Sequence, residues 1–464
     1  MFKLIDSRIL DVNAEKSGIR MEELMDNAGK AVAGFVKELG HKRILVICGS
    51  GNNGGDGYTA AIRLLHEKMD VSVLKAKEPE TSLAKKKHDT FVQEGGNIKQ
   101  EAKFDEYDVL VDALLGIGIT GIPKEPYLSL IDRINRSGKV IVSVDVPSGF
   151  PSTVAVKPDY TVTMQLEKDG MTEQNCGKIM VRDVGFPKDI IEMIGPGELL
   201  VFPRNEKNSH KGENGIVAII AGSSDFYGAP IYVAKSALRM GPDLVFLYTP
   251  GSIHCKVAPH LNDVIMRKSG NEYIEMTADL LGNIRNKADA IAIGPGISRS
   301  QEAFSASREI IEATLKSGKR IVIDADALGS IEGIQDFRGL AVLTPHQGEF
   351  KSTFRIEPDE ENVKKIAREL NAVIFLKGRV DIISDGEMVK KNTGFHHESM
   401  TRGGTGDLIT GAVAGLLSRK IDPFHSATLA SYVIGMSGLM AFDRMGYSYL
   451  TSEIPNFIPE ILKN

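Results

Sequence analysis

Short β-branched runs alternate with amphipathic stretches along most of the chain. In the first part the runs occupy residues 43–48, 71–75, 109–112 and 140–144, each followed by a Gly-rich turn or a polar, helix-like segment. Continuous apolar runs of this kind mark strands buried on both faces, so the alternation predicts βαβ units and a parallel sheet. A helix is expected over residues 21–39, where Leu24, Met25, Ala28, Val32 and Phe35 recur on one face at helical spacing. The pattern breaks around Gly195-Pro196-Gly197, and residues 203–215 are polar without apolar period, which places an expected domain boundary near Asn205. Strand-like runs resume at 216–221, 244–248, 290–293, 320–323, 341–343 and 373–376, implying a second α/β sheet. Helices are expected at 405–417, 424–445 and 452–462.

Composition narrows the function. A chain of 464 residues exceeds what one core usually serves, and 42% hydrophobic with 25% charged residues is ordinary globular material for two sizeable cores. A net charge of -5 without a Lys/Arg-rich block gives no footprint for nucleic acid, so no such partner is expected. Cys48, Cys176 and Cys255 are too few and too widely spaced for a disulfide framework or a zinc site, which points to a reducing compartment. No apolar run reaches the roughly 18 residues of a membrane span, and the first residues lack a signal-peptide core. A cytoplasmic protein without membrane association is expected, and a homo-oligomer.

The first candidate chemistry follows the strand at 43–48. In GSGNNGGDGY, residues 49–58, Gly49, Gly51 and Gly54 have the G-x-G-x-x-G spacing between a strand and a helix, where backbone amides can cradle a pyrophosphate. The glycines alone could make a tight turn, but Asn52, Asn53 and Asp56 are polar groups a turn does not need. DALLGIGITG then puts Asp112 at a strand terminus before a second glycine-rich loop, and VSVDVPSG offers Asp145 and Ser148 at a third. Ligands of open α/β sheets bind at the carboxyl ends of strands, so the three loops can share a crevice. Asp145 is there either an acid/base or a turn former.

The run LMDNAGKAV at 24–32, followed by those three loops, resembles the YjeF N-terminal family, the NAD(P)H-hydrate epimerases, over nearly all of residues 1–200. The resemblance implies a Rossmann-like αβα domain over 1–205. It implies that Asn52, Asn53, Gly54, Gly55 and Asp56, with Gly116, Ile117, Gly118, Ile119, Thr120, Gly121 and Ile122, hold the hydrated dinucleotide. It implies further that Asp145 acts at the C6 carbinolamine centre and that Asn53, Asp112 and Ser148 bind potassium, a hard cation suited to oxygen ligands. One departure is the segment 150–154, FPSTV, where the family usually has an Asp-rich loop.

Downstream the strongest signal is GGTGDLITG at 403–411. Glycine amides at a helix start form an anion hole, and Asp407 beyond them could serve as general base toward a hydroxyl attacking a phosphoryl group, although a Gly-rich helix start with an acidic first turn would read the same. No G-x-x-x-x-G-K-[ST] occurs, which excludes a P-loop. Together with HKGENGIVAIIAGSSDFYGAP (210–230), AIGPG (292–296), DADAL (324–328), LTPHQGEF (343–350) and LKGRVD (376–381), this segment resembles the ribokinase-like NAD(P)H-hydrate dehydratases across 206–464. The resemblance implies that Ala229, Gly296, His346 and Asp407 contact the hydrated nicotinamide nucleotide. Lys377, Gly378, Arg379, Val380 and Asp381, with Thr401, Arg402, Gly403, Gly404, Thr405 and Gly406, would hold ADP or ATP with magnesium. Here too the chain departs from the family, reading TGFHHESM at 393–400, with His396 and His397 in a longer loop. An adjacent His pair without further ligands at usable spacing reads as a solvated loop before it reads as a metal site.

Three rivals remain at this point. An NAD-dependent dehydrogenase would use the first glycine loop but has no role for GGTGD. A vitamin or small-alcohol kinase would use GGTGD with a regulatory first domain, and a non-catalytic scaffold is disfavoured by intact Asn53, Asp112 and Asp145 and by the lack of a basic patch.

Overall fold

The computed structural model describes residues 3–118 and 121–463. The chain divides into two compact units, Met1–Ile190 and Ile191–Asn464.

In the first unit, helices α1 (Leu4–Lys16) and α2 (Met21–Glu38) precede β1 (Arg43–Cys48), which leads through the glycine loop into α3 (Asn52–His66). The remaining strands are β2 (Asp70–Lys75), β3 (Asn97–Lys99), β4 (Val109–Ala113), β5 (Val140–Val144), β6 (Tyr160–Met164) and β7 (Lys178–Arg182). They form a seven-stranded sheet in the order β3-β2-β1-β4-β5-β6-β7, parallel throughout. The order reverses between β1 and β4, the switch point at which open α/β sheets leave a crevice. Val32 and Val36 of α2 and Tyr58 and Leu64 of α3 pack one face of the sheet; Leu130, Ile131 and Ile134 of the helix Tyr127–Asn135 pack the other. This is the expected three-layer arrangement. Strands β3, β6 and β7 go beyond the sequence expectation; in β6 the buried Thr161 and Thr163 interrupt the apolar run that marks a buried strand.

The second unit contributes β8 (Ile216–Ile220), β9 (Leu244–Thr249), β10 (Ile265–Lys268), β11 (Ala290–Ile293), β12 (Arg320–Ile323), β13 (Ala341–Leu343), β14 (Val373–Leu376), β15 (Asp381–Ser384) and β16 (Val389–Asn392). The nine-stranded sheet runs β10-β9-β8-β11-β12-β13-β14-β15-β16 and is parallel as far as β14, after which β15 and β16 turn antiparallel. Helices Ala229–Arg239, Thr405–Ser418 and Pro423–Met445 cover one face, and Ala278–Asn286, Gln301–Lys316 and Glu360–Leu370 the other. Helix Thr405–Ser418 is buried from Leu408 onward and lies against Ala229–Arg239 so closely that a Cβ on Gly411 would stand 2.1 Å from the Val233 carbonyl oxygen.

Two boundaries differ from the pattern-based expectation or refine it. The helix expected at 452–462 is instead a 3₁₀ turn, Thr451–Asn456, and a short helix, Ile458–Leu462, because Pro455 and Pro459 withhold the amide hydrogens a continuous helix requires. The polar stretch 203–215 lies within the second unit, and so does the segment before it: Met193 bridges to Lys391 of β16, and the Ile194 amide donates to the Lys391 carbonyl at 2.8 Å. Among the described residues no helix is long and apolar enough to cross a membrane.

Candidate active sites of the two units

At the carboxyl ends of β1, β4 and β5 a cavity of about 560 Å³ opens in the first unit. Asn52, Asn53, Asp56, Gly116, Ile117, Gly118 and Asp145 line it, so the three loops singled out in the sequence do converge. Gly54 and Gly55 are buried behind it, packed on the Gly49 carbonyl and on Met25. Gly121 and Ile122 do not border it, and Ile119 and Thr120 lie outside the described residues.

Asp145 takes a left-handed backbone, φ 64°, unusual for a residue with a side chain and a mark of a constrained position. Its Oδ1 accepts hydrogen bonds from the Met164 amide at 3.0 Å and from the ammonium of Lys168. That ammonium also donates to Thr163 Oγ1 at 2.7 Å and to the Met164 carbonyl at 2.8 Å, and Lys168 is 1% exposed. Asp145 is therefore fixed beside a buried cation. Lys168, absent from the sequence-based candidates, lies 23 residues away in a loop with no motif around it.

Beneath the cavity Asp112 is fully buried and accepts from Ser143 Oγ at 2.8 Å, from the Ser148 amide at 2.9 Å and from Ser148 Oγ. Burial pushes its carboxyl upward, against the pull of those hydrogen bonds. Ser148 Oγ also stands 3.2 Å from the Leu115 carbonyl, and the buried Asn53 Nδ2 has no hydrogen-bond partner among the described residues. The Ser148 hydroxyl, the Asp112 carboxylate and the Leu115 carbonyl are clustered oxygen donors of the kind an oxygen-ligated cation takes, and the Asn53 amide, which packs by Gly116, is a further donor once turned to offer its oxygen.

In the second unit Asp407 sits in the first turn of Thr405–Ser418, whose N-cap Gly404 has φ 91°. The amides of that turn have no partner within the helix and point at whatever occupies its end. Thr405 Oγ1 is likewise buried without a hydrogen-bond partner among the described residues. Burial first, then the charges of Asp324 and Glu349, raise Asp407 to about 7, with Lys377 drawing it partly back. Lys377 Nζ lies 2.6 Å from Asp324 Oδ1, and Thr410 Oγ1 donates to the other oxygen of that carboxylate. Burial alone would lower Lys377, but the Asp324 and Glu349 charges outweigh it and raise the ammonium. Asp324, visible in DADAL but not chosen there, thus positions the lysine beside Gly406 and Asp407.

The other candidates divide by role. Gly296, at φ 68°, faces Phe226 and Ala229 so tightly that a Cβ would meet both, which brings Ala229 and Gly296 together. His346 caps the helix Gln347–Phe354: its Nδ1 accepts from the amides of Gly348 and Glu349 at 3.0 and 3.2 Å. Asp381 is buried and accepts from the Gly378 amide and from Ser431 Oγ, so it shapes the 377–381 turn from beneath. Arg379 offers its carbonyl to His396, and Val380 is partly exposed. Arg402 donates to the carbonyls of Ser399, Tyr447 and Tyr449, Thr401 to that of Glu398, and the Gly403 carbonyl accepts from Thr451. His397 stacks on Phe442 with centroids 3.7 Å apart and caps the turn Glu398–Met400, so the unusual His loop has a packing role.

Comparison with known proteins now bears on this geometry. A family model described as NAD(P)H-hydrate dehydratase matches residues 217–460, and one described as YjeF-related protein N-terminus matches residues 21–170. A bifunctional NAD(P)H-hydrate repair enzyme from Methanothermobacter thermautotrophicus is 37% identical over 100% of this chain and 95% of its own length. The chain belongs to this family of bifunctional repair enzymes. A second member, from Archaeoglobus fulgidus, is 36% identical over 98% of this chain and 97% of its own. Among solved structures, an ADP/ATP-dependent NAD(P)H-hydrate dehydratase from Bacillus subtilis, co-crystallised with ATP/Mg2+, is similar at TM-score 0.50 and 25% identity over 58% of this chain and 97% of that one. A ribokinase-like superfamily protein from Enterococcus faecalis, at TM-score 0.53 and 23% identity over 59% and 95%, shares the fold.

Proposed function

We propose that this chain repairs hydrated NADH and NADPH in two steps, epimerising the R and S hydrates in the first unit and dehydrating the S form in the second at the expense of ADP or ATP. The observation that carries the reading is the presence of two separate strand-end sites. One is a cavity built around Asp145 and Lys168; the other is a helix N-terminus with Asp407 in its first turn and Lys377 beside it.

In the first site Asp145 exchanges protons at the C6 carbinolamine while the amides after β1 and β4 take the phosphates. Asn53, Asp112 and Ser148 would hold potassium, whose positive charge near the dinucleotide would help fix its phosphates. In the second site Asp407, raised to about 7, accepts the C6 hydroxyl proton. The freed oxygen attacks the terminal phosphoryl group, which the Thr405 and Gly406 amides hold in place. Phosphate then leaves C6, a proton leaves C5, and the C5–C6 double bond of the dihydronicotinamide returns, with AMP or ADP as the other product. Magnesium would enter with the polyphosphate, and Asp324, Glu349 and Asp407 are the carboxylates whose charges act on Lys377. The unpaired state of Cys48, Cys176 and Cys255 supports a reducing, cytoplasmic setting.

The test incubates the protein with mixed R and S hydrates and either ADP or ATP, following recovery of reduced-cofactor absorbance. Complete recovery supports both activities. Recovery of the S fraction alone, at a rate equal to the enzyme-free control for the rest, removes the epimerase reading, and no nucleotide-dependent recovery removes the dehydratase reading.

A further inference from the structure

The cavity of the first unit is also bordered by a carboxyl that none of the strand-end loops supplies. Asp11 reaches it from α1. Among the described residues no hydrogen bond or ion pair holds the Asp11 side chain, in contrast to Asp145, which is fixed by Lys168 and the Met164 amide. Both carboxyls line the same cavity. Two acidic groups thus meet in one cavity, one provided with a buried cation and the other without.

Burial first, then the Asp145 charge and that of Glu15, raise Asp11 to about 6, while Lys168 acts in the opposite direction. Arg8, Asp56, Lys77 and Glu80 are the other charged groups lining the cavity. Asp56 is held far above the usual carboxylate range by burial and by the charges of Asp145 and Asp11. Asp11, raised only to about 6, can give a proton and take it back near neutral pH.

Inverting a carbinolamine carbon needs such an asymmetric pair. The C6–O bond breaks as its oxygen takes a proton and leaves as water, and the N1 lone pair closes the N1–C6 iminium. A water molecule then adds to the opposite face of C6, its lone pair forming the new C–O bond, the iminium electrons returning to N1, and its proton passing to a base. One carboxyl must begin protonated and the other ionised, and the roles exchange in the reverse direction. Resting on the epimerase reading above, we propose that Asp11 is the second acid/base residue of that reaction, protonating the departing C6 hydroxyl while Asp145 takes the proton of the incoming water.

The test compares the full-length parent with Asp11→Asn, Asp11→Glu and Asp145→Asn, using R hydrate with excess ATP and ADP and reading S-hydrate dehydration as the control for folding. Asp11→Asn should lower kcat for the R form by about 10²- to 10⁴-fold with KM near the parent's. The parent's kcat/KM should decline as pH rises past about 6, where Asp11 loses its proton, and that limb should vanish in Asp11→Asn and survive in Asp11→Glu. In H₂¹⁸O the parent should place one solvent oxygen in the hydrate per inversion. An Asp11→Asn variant with parental kcat and an intact alkaline limb overturns the proposal, as does inversion without solvent oxygen. If the parent inverts and only Asp145→Asn is impaired, this proposal alone fails; if the parent does not invert the R form, the epimerase reading fails with it.

Discussion

The ammonium of Lys377 lies 2.6 Å from the carboxylate of Asp324, with the two side chains 15% and 2% exposed, and Thr410 donates to the second carboxylate oxygen. The arrangement joins three elements: Asp324 follows β12, Lys377 follows β14, and Thr410 lies in the helix that carries Asp407. Removing Asp324 leaves a buried charge without compensation, which typically costs about 3–5 kcal/mol. Asp324→Ala should therefore unfold the second unit at markedly lower urea concentration and lose dehydration. The paired change Asp324→Leu with Lys377→Met should recover much of the stability and none of the activity. Equal urea midpoints for parent and Asp324→Ala would show that the pair contributes nothing to folding.

Asp407 lends itself to a pH test. A general base works ionised, and burial together with the Asp324 and Glu349 charges sets this group at about 7 in the free protein. Dehydratase kcat/KM should accordingly rise with pH through about 7 and level off above it. Asp407→Asn should remove that dependence, lower turnover by about 10²- to 10⁴-fold and leave epimerisation intact. A profile flat from pH 5.5 to 8.5 in the parent would place the base elsewhere.

In the first unit Asp145→Asn preserves the side-chain volume at a position with φ 64°, which Asn tolerates well, while removing the partner of the Lys168 ammonium. The variant should consume S hydrate at the parental rate and leave R hydrate to its spontaneous epimerisation. Progress curves on mixed hydrates, compared with an enzyme-free control, measure this directly. A parental slow phase would make Asp145 a turn residue.

What the sequence disclosed depended on how local each signal was. The strands β1, β5, β8, β11, β12, β13 and β14 are short apolar runs and were legible as such, as were the glycine loops that follow β1 and β4. Strand β6 was not, because its buried Thr161 reads as polar until its hydroxyl is seen donating to the Cys176 carbonyl at 2.6 Å. Strands β15 and β16 bury Asp381, Lys390 and Asn392 in the same way. The candidate site shows the same division. Asp145 and Asp407 stand in glycine-rich motifs, whereas Lys168, Asp11 and Asp324 acquire their significance only from partners that the fold brings to them across 23, 134 and 53 residues.

The glycines of the first loop permit a last separation of folding from binding. A Cβ on Gly54 would stand 2.1 Å from the Gly49 carbonyl oxygen, and both sides of that contact are backbone, so neither can give way cheaply. Gly51, by contrast, has φ -93° and nothing within 4 Å of where its Cβ would be, although it borders the cavity. Gly54→Ala should cost roughly 1–3 kcal/mol in the first unit, as overpacking does, and impair epimerisation through the distorted loop. Gly51→Ala should unfold like the parent but raise the epimerase KM, because a methyl group there intrudes only on a ligand drawn close to the backbone amides. Urea denaturation and R-hydrate kinetics on the two variants decide the matter. A Gly51→Ala protein with parental KM would mean that the dinucleotide does not approach the loop at that point, and that the G-x-G-x-x-G spacing serves the turn alone.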